Sequence, residues 1–170
     1  SSTLLPSTFA EHTGRPEKYM ALHFANSIWA HNTAECMGHA GTDPDIYKQV
    51  VQFAKDINME PIEVHKEQPG YVLNSLLVPL LDAGQNLWAR GIADPETVDK
   101  AWRIGTGAPV GPFQMMDVIG LQTVSNVLKM KPDAKDPESV TYRLIKMVGE
   151  KIEKGELGVA AGKGFYDYTE

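Results

Sequence analysis

The most constraining feature of this sequence is a change in its hydrophobic pattern at residues 66–70, Lys-Glu-Gln-Pro-Gly. Before this point, short apolar runs at residues 19–24, 33–37 and 61–65 predict strands. Between the second and third runs, residues 43–56 carry apolar side chains at helical spacing and predict a helix. Strand, helix and strand in this order indicate the end of a mostly parallel α/β sheet.

From residue 71 onward, every segment with a regular pattern has the spacing of an amphipathic helix. Helices are predicted over residues 71–90, 95–104, 113–130 with Gly120 as a candidate break, and 138–154. Thr42 is expected to cap the helix over residues 43–56, and Asp94 the helix that begins at residue 95. We therefore predict two domains, an α/β part over residues 1–67 and an all-helical part over residues 68–170.

Composition excludes several classes of function. The chain of 170 residues has a formal net charge of −6 and no cluster of lysine and arginine, which argues against nucleic acid as a partner. No apolar run approaches the roughly 18 residues of a membrane span, so no membrane association is expected. The single cysteine, Cys36, cannot form an internal disulfide, and no Cys/His spacing indicates a metal site. We expect no metal and a reducing, cytoplasmic location.

The segment ALHFANSIWAHNTAE at residues 21–35 places His23 at the end of a predicted strand and Glu35 on the next one. Dehydrogenation of an alcohol needs a base beside the hydroxyl, and imidazole suits this role at neutral pH. A carboxylate on the other ring nitrogen fixes the tautomer and stabilises the cation that forms. Spacing alone does not select this role, because a histidine that ends an apolar strand is more often a packed core or rim residue, and a glutamate is usually solvated.

Five motifs in the same order resemble those of the 3-hydroxyacyl-CoA dehydrogenases, the NAD-dependent enzymes of fatty-acid β-oxidation and butyrate-type metabolism. Residues 22–26, Leu-His-Phe-Ala-Asn, are similar to the family's H-F-x-N-P, with Glu35 in register. Ser2 stands where a segment like N-[TS]-S-[ST]-[LI] has its serine. The other motifs are Pro-Gly-Tyr-Val-Leu-Asn at residues 69–74, Gly-Ala-Pro-Val-Gly-Pro-Phe at 107–113 with Asp117 and Gly120, and Gly-Lys-Gly-Phe-Tyr at 162–166. The resemblance extends over nearly the whole chain, from Ser2 to Tyr168.

The resemblance implies a role for each of five polar residues. His23 would be the catalytic base and Glu35 its carboxylate partner. Ser2 would be catalytic and would also contact the cofactor, while Asn26 would contact the nicotinamide end of NAD. Asn74 would hydrogen-bond the substrate oxygen in the cleft between domains, although without the resemblance an asparagine near a helix start is better explained as a local cap.

Three positions depart from the family pattern. Ser27 stands where the family usually has proline, and Ser75 where it more often has arginine. Ala160 stands where the family often has a lysine that approaches the cofactor, and Lys163 is not a clear substitute. The Gly-Pro segment at residues 107–113 is expected to be a structural loop, not a nucleotide-binding one.

The fold that the resemblance implies is the end of a Rossmann-type sheet followed by an all-α dimerisation domain. The function it implies is oxidation of (S)-3-hydroxyacyl-CoA to 3-oxoacyl-CoA with NAD or NADP, with short-chain substrates such as 3-hydroxybutyryl-CoA favoured. The partners it implies are an acyl-CoA substrate and a second copy of the chain. Two alternatives stay open: a related NAD-dependent dehydrogenase of a non-CoA hydroxy acid, and a non-catalytic helical interaction module.

The sequence contains no G-x-G-x-x-G dinucleotide fingerprint. In the family this motif lies in the first half of the protein, where a strand–turn–helix binds the pyrophosphate. We therefore expect that this chain corresponds to the C-terminal portion of such a protein, and that by itself it neither binds NAD usefully nor catalyses the reaction.

Overall fold

A computed structural model of the chain describes residues 2–169. The chain forms two compact units, with the boundary between Leu77 and Val78. The first unit contains a short helix α1 (Ser7–Ala10), two 3-10 turns, strand β1 (Ala21–Phe24), strand β2 (Thr33–Met37), helix α2 (Pro44–Asp56) and strand β3 (Glu60–Val64). The three strands form one sheet in the order β1-β2-β3.

The prediction of a mostly parallel sheet is only half right. β2 and β3 are parallel and are joined through α2, as in a β-α-β unit. β1 and β2 are antiparallel. Parallel pairing would need a crossover of about a dozen residues or more, and the short connection over residues 25–32 cannot supply it. In this register His23 lies directly opposite Glu35, as predicted for adjacent strands.

Helix α2 packs its apolar face on the sheet and begins with a different cap from the one predicted. Asp43, not Thr42, caps the helix, because its side chain accepts a hydrogen bond from the Asp45 N–H at 2.7 Å. The Thr42 hydroxyl instead donates to the Tyr19 carbonyl at 3.0 Å. The buried core between helix and sheet contains Ala34, Cys36, Val51 and Ala54.

The second unit is helical, and it contains most of α3 (Leu73–Ala89), with α4 (Pro95–Thr106), α5 (Pro112–Ile119), α6 (Leu121–Lys129) and α7 (Val140–Glu153). Asp94 caps α4 as predicted, since its side chain accepts from the Thr97 N–H at 2.7 Å. The segment predicted as one helix over residues 113–130 is two helices. Gly120, at φ 91°, ends α5 and begins α6.

Two buried carboxylates connect the elements of the helical unit. Asp99 accepts hydrogen bonds from the Phe113 N–H at 2.8 Å and the Gln114 N–H at 2.9 Å, at the start of α5. Asp117 accepts from the Phe165 N–H at 2.8 Å and the Tyr166 N–H at 3.0 Å, in the C-terminal tail. A third donor to each carboxylate is a tyrosine hydroxyl. The surrounding core consists of large apolar side chains: Phe113, Met116, Leu121, Leu128, Leu144 and Val148.

Candidate active site

Three of the predicted site residues form one hydrogen-bonded row in the first unit. The Ser2 hydroxyl lies 3.1 Å from Nε2 of His23, and Nδ1 of His23 lies 2.9 Å from Oε2 of Glu35. His23 is 7% exposed and Glu35 is 3% exposed, whereas Ser2 is exposed. The row therefore leads from solvent at Ser2 to a buried carboxylate.

The partners on the two ring nitrogens determine which of them carries the proton. An ionised Glu35 can only accept, so Nδ1 of His23 must donate to it. In the neutral imidazole Nε2 is then the acceptor, and the Ser2 hydroxyl donates to it. A second hydroxyl could donate to Nε2 of His23 in place of Ser2 or beside it. It would meet a basic nitrogen in a ring whose other nitrogen, Nδ1, faces the negative charge of Glu35.

The second oxygen of Glu35 is held by the start of α3. Oε1 accepts hydrogen bonds from the backbone N–H groups of Val72 at 2.9 Å and Leu73 at 2.8 Å. Val72 directly precedes α3 and Leu73 is its first residue, so both N–H groups lie at a helix start, where the donors have no partner within the helix and attract negative charge. Both oxygens of the carboxylate are therefore engaged, and Glu35 cannot rotate away from His23 without breaking three hydrogen bonds.

Tyr71 is a residue of the site that the sequence interpretation did not single out. Its ring stacks on the imidazole of His23, with ring centroids 4.5 Å apart and planes 14° apart. Its backbone has φ 53°, a left-handed conformation that costs a bulky residue about 1–2 kcal/mol. Burial raises the pKa of the Tyr71 phenol above its ordinary value, and the charge of Glu35 adds to this effect, so the ring stays neutral. The signal in the sequence was its place after Pro69-Gly70 in the motif that contains Asn74.

The two asparagines lie near the row but are not hydrogen-bonded to it. Asn26 is exposed in the turn after β1, three residues beyond His23. Asn74 lies one residue into α3, next to the amides that bind Glu35, and its own N–H donates to the Gly70 carbonyl at 3.0 Å. Among residues 2–169 its side chain makes no hydrogen bond, so the alternative of a local cap gains no support.

The part of the chain that the structure describes contains no group of three or more His, Cys, Asp or Glu side chains that could hold a metal ion. Over the same residues, no helix combines the length and the apolar character needed to cross a bilayer.

Comparison with known proteins identifies the family to which this chain belongs. Residues 70–168 match the C-terminal domain of 3-hydroxyacyl-CoA dehydrogenase, and residues 1–68 match the NAD binding domain of the same enzyme. The chain belongs to the 3-hydroxyacyl-CoA dehydrogenase family, which confirms the resemblance seen in the motifs. A Rossmann-like NAD-binding domain followed by a helical C-terminal domain is the family architecture, so the predicted fold class is confirmed as well.

Two curated relatives illustrate the match. The mitochondrial hydroxyacyl-coenzyme A dehydrogenase of Rattus norvegicus is 31% identical over 99% of this chain and 53% of its own length. The 3-hydroxybutyryl-CoA dehydrogenase of Clostridioides difficile is 29% identical over 99% of this chain and 59% of its own length. The chain thus spans little more than half the length of these relatives.

Solved structures agree in fold. A diketoreductase is 55% identical, with a TM-score of 0.92 over 99% of this chain and 58% of that one. The (S)-3-hydroxybutyryl-CoA dehydrogenase of Ralstonia eutropha is 27% identical, with a TM-score of 0.77 over 100% of this chain and 59% of that one.

Proposed function

We propose that this chain contains the catalytic half of an NAD(P)-dependent oxidoreductase that interconverts a 3-hydroxyacyl thioester and the corresponding 3-oxoacyl thioester. The observation that carries the proposal is the row from the Ser2 hydroxyl through His23 to Glu35, with hydrogen bonds of 3.1 and 2.9 Å. A surface histidine would not need a buried carboxylate that is itself fixed by two backbone amides. The interpretation as a non-catalytic helical module offers no reason for this arrangement.

The row supplies what the oxidation requires of the protein. The substrate hydroxyl would donate to Nε2 of His23 beside Ser2 and pass its proton to that nitrogen, with the hydride acceptor supplied by the cofactor when it is bound. Glu35 stabilises the imidazolium that results and keeps Nδ1 as the donor. In the reverse direction Nε2 would return the proton to the carbonyl oxygen of the substrate. Asn74, adjacent to the amides that hold Glu35, would donate to the same substrate oxygen.

The residues present fit the nicotinamide end of the cofactor but not its pyrophosphate. Asn26 and Ser2 would contact the nicotinamide, which supplies the hydride acceptor when NAD is bound. The β-α-β unit formed by β2, α2 and β3 offers no second site, because the Asp43 carboxylate caps the start of α2 where a pyrophosphate would need to bind. We propose that the 170-residue chain does not bind NADH on its own. Calorimetry that finds saturable binding at micromolar NADH would contradict this.

Two classes of substrate are candidates. The family and the relatives from rat and C. difficile favour an acyl-CoA. The diketoreductase that is 55% identical is described as acting on dicarbonyl compounds, which makes a dicarbonyl substrate without coenzyme A the second candidate. The full-length protein, assayed for NADH oxidation with acetoacetyl-CoA and with a β-dicarbonyl ester, would separate them. Turnover of the ester alone would replace the thioester with the second class of substrate, and turnover of neither would refute the oxidoreductase proposal.

We also propose that the helical unit joins two copies of the chain. An open cavity of about 490 Å³ is lined almost wholly by apolar side chains of α3 and α4 and the residues around them, among them Leu80, Leu87, Ile92, Val98 and Trp102. Ile92 is 65% exposed. Light scattering should give twice 18.7 kDa for a dimer, and a dominant species near 18.7 kDa would refute it. The domain limits of 1–67 and 68–170, and a cytoplasmic location, remain predictions from the sequence.

A further inference from the structure

Tyr71 contacts the site from two directions, through its ring and through the peptide groups that follow it. Its ring stacks on the imidazole of His23 at 4.5 Å. The next two backbone N–H groups, of Val72 and Leu73, both donate to Oε1 of Glu35. A single residue therefore fixes the positions of both members of the His–Glu pair.

The backbone of Tyr71 is restrained on both sides. Its N–H donates to the Gln68 carbonyl at 2.9 Å. Its carbonyl accepts a hydrogen bond from the Ser75 hydroxyl. Ser75 stands where the family more often has arginine, so this second restraint depends on a departure from the family pattern. Together the two bonds hold the left-handed conformation at φ 53°, which directs the following amides toward Glu35.

The ring of Tyr71 is restrained by packing. It is 1% exposed and lies in a buried cluster with Met37 and Val64, against which Leu5 and Ala21 also pack. A ring enclosed in this way cannot swing away from His23. One face of the imidazole therefore packs against an aromatic ring whose position is fixed.

We propose that Tyr71 is a positioning residue for His23: its ring holds the imidazole in the plane in which Nδ1 faces Glu35 and Nε2 faces Ser2. The torsion that rotates a histidine ring has a broad energy minimum, so hydrogen bonds at its edge leave the plane loosely defined. The ring of Tyr71, whose plane lies within 14° of the imidazole plane, restricts that rotation. The aromatic face also attracts the cation that His23 becomes after it accepts the substrate proton. This inference rests on the proposed function, because it places Tyr71 in the same proton transfer.

The kinetic test compares three variants of the full-length protein. Tyr71→Leu removes the flat ring, and we expect kcat to fall on the order of ten- to a hundredfold while KM changes little, as for a base held in the wrong plane. Tyr71→Phe keeps the ring and should retain kcat. Val51→Ala loosens the separate buried cluster between α2 and the sheet, which does not include Tyr71, and it should also retain kcat. Equal losses in Tyr71→Leu and Val51→Ala, or full activity in Tyr71→Leu, would overturn the proposal.

A second measurement does not require activity or the folding of the leucine variant. Proton NMR of the 170-residue chain should show cross-relaxation between the ring protons of Tyr71 and His23, and a downfield resonance from the Nδ1 proton bound to Glu35. Tyr71→Phe should preserve the downfield resonance. Absence of ring-to-ring cross-relaxation in the wild type would overturn the proposal even if the enzyme is active. Failure of the full-length wild type to oxidise NADH with either substrate would instead count against the proposed function.

Discussion

Glu35 in the α/β unit and Asp117 in the helical unit are held in the same way but differ in their third partner. Each is almost wholly buried, and each accepts two backbone N–H groups from a segment distant in sequence. The third donor is Nδ1 of His23 for Glu35 and the Tyr168 hydroxyl for Asp117, both at 2.9 Å. Imidazole changes charge near neutral pH and a phenol only near pH 10, so only the first pair suits proton transfer.

The surroundings of the two carboxylates differ in the same sense. The row that begins at Glu35 ends at the exposed Ser2, so one end of it faces solvent. Asp117 is closed over by the C-terminal tail: a Cβ added at Gly164 would lie 2.0 Å from Oδ1 of Asp117. Backbone amides therefore hold a buried carboxylate in one position in both units. Its third partner and its access to solvent then determine whether the carboxylate suits proton transfer or only stabilises the fold.

The largest expected effect is a loss of activity at the His23–Glu35 pair, which would distinguish it from the carboxylate site at Asp117. In the full-length protein, His23→Gln should lower kcat by roughly two to four orders of magnitude, because the substrate proton loses its acceptor. That loss corresponds to about 3–5 kcal/mol of transition-state stabilisation. Steady-state NADH oxidation measures it, with His65→Gln, a change at an exposed histidine, as the matched control. Near-normal turnover of His23→Gln would remove His23 from the reaction.

Glu35→Gln should also cause a large loss of kcat, on the order of a hundredfold or more, through the tautomer of His23. The glutamine carbonyl would remain on the Val72 and Leu73 amides, which leaves its NH₂ group facing Nδ1. Nδ1 would then have to accept, and Nε2 would carry the proton and could no longer act as a base. Nitrogen NMR shifts of the imidazole would report the change of tautomer. An unchanged tautomer with full activity would contradict this account of Glu35.

Substitution of Asp117, the buried carboxylate of the helical unit, should change stability and not activity. In Asp117→Asn the amide group would face the Tyr166 N–H or the Phe165 N–H, and one buried donor would lose its acceptor. We expect the free energy of unfolding to fall by about 3 kcal/mol. Urea denaturation followed by circular dichroism measures the change. The control is Asp45→Asn, whose ion pair with Lys48 is exposed and should matter little. A stable Asp117→Asn variant would mean that the charge at this position is dispensable.

The sequence could predict Glu35 but not the way in which it is held. Apolar runs and helix caps located the strands and most helices, and the family motifs singled out Ser2, His23 and Glu35. The antiparallel pairing of β1 was missed although the short connection over residues 25–32 already requires it. The cap at Asp43 was missed because Thr42 is also a capping residue, and only the contact of its hydroxyl with the Tyr19 carbonyl removes it from that role. Tyr71 was missed for a related reason: stacking on a residue 48 positions earlier depends on the register of the sheet and on a left-handed turn. The catalytic and cofactor-binding roles of all five residues, Asn26 and Asn74 included, stay predictions.

The smallest expected effect tests whether Tyr168, unlike His23, only stabilises the fold through its hydrogen bond to a buried carboxylate. Burial, followed by the hydrogen bond to Asp117, raises the pKa of Tyr168 above its ordinary value. At neutral pH, Tyr168→Phe removes one hydrogen bond to a charged group and should lower the free energy of unfolding by about 1.5–2 kcal/mol. Activity per folded molecule should be unchanged, because Tyr168 takes no part in the row at His23.

The dependence of this difference on pH follows from the direction of the shift. A group whose pKa is raised by folding contributes stability that is complete below its unfolded value, about 10 for tyrosine, and is lost as the pH rises toward the folded value. Above pH of about 10 the unfolded wild type releases the Tyr168 proton while the folded protein retains it. The wild type should therefore lose stability there faster than Tyr168→Phe, and the gap between them should narrow. Tyr142→Phe, a change at a hydroxyl that bonds no carboxylate among residues 2–169, should show neither effect. A gap that stays constant with pH would mean that the Asp117 carboxylate does not hold the phenol in its neutral form, and the contrast with His23 would then rest on solvent access alone.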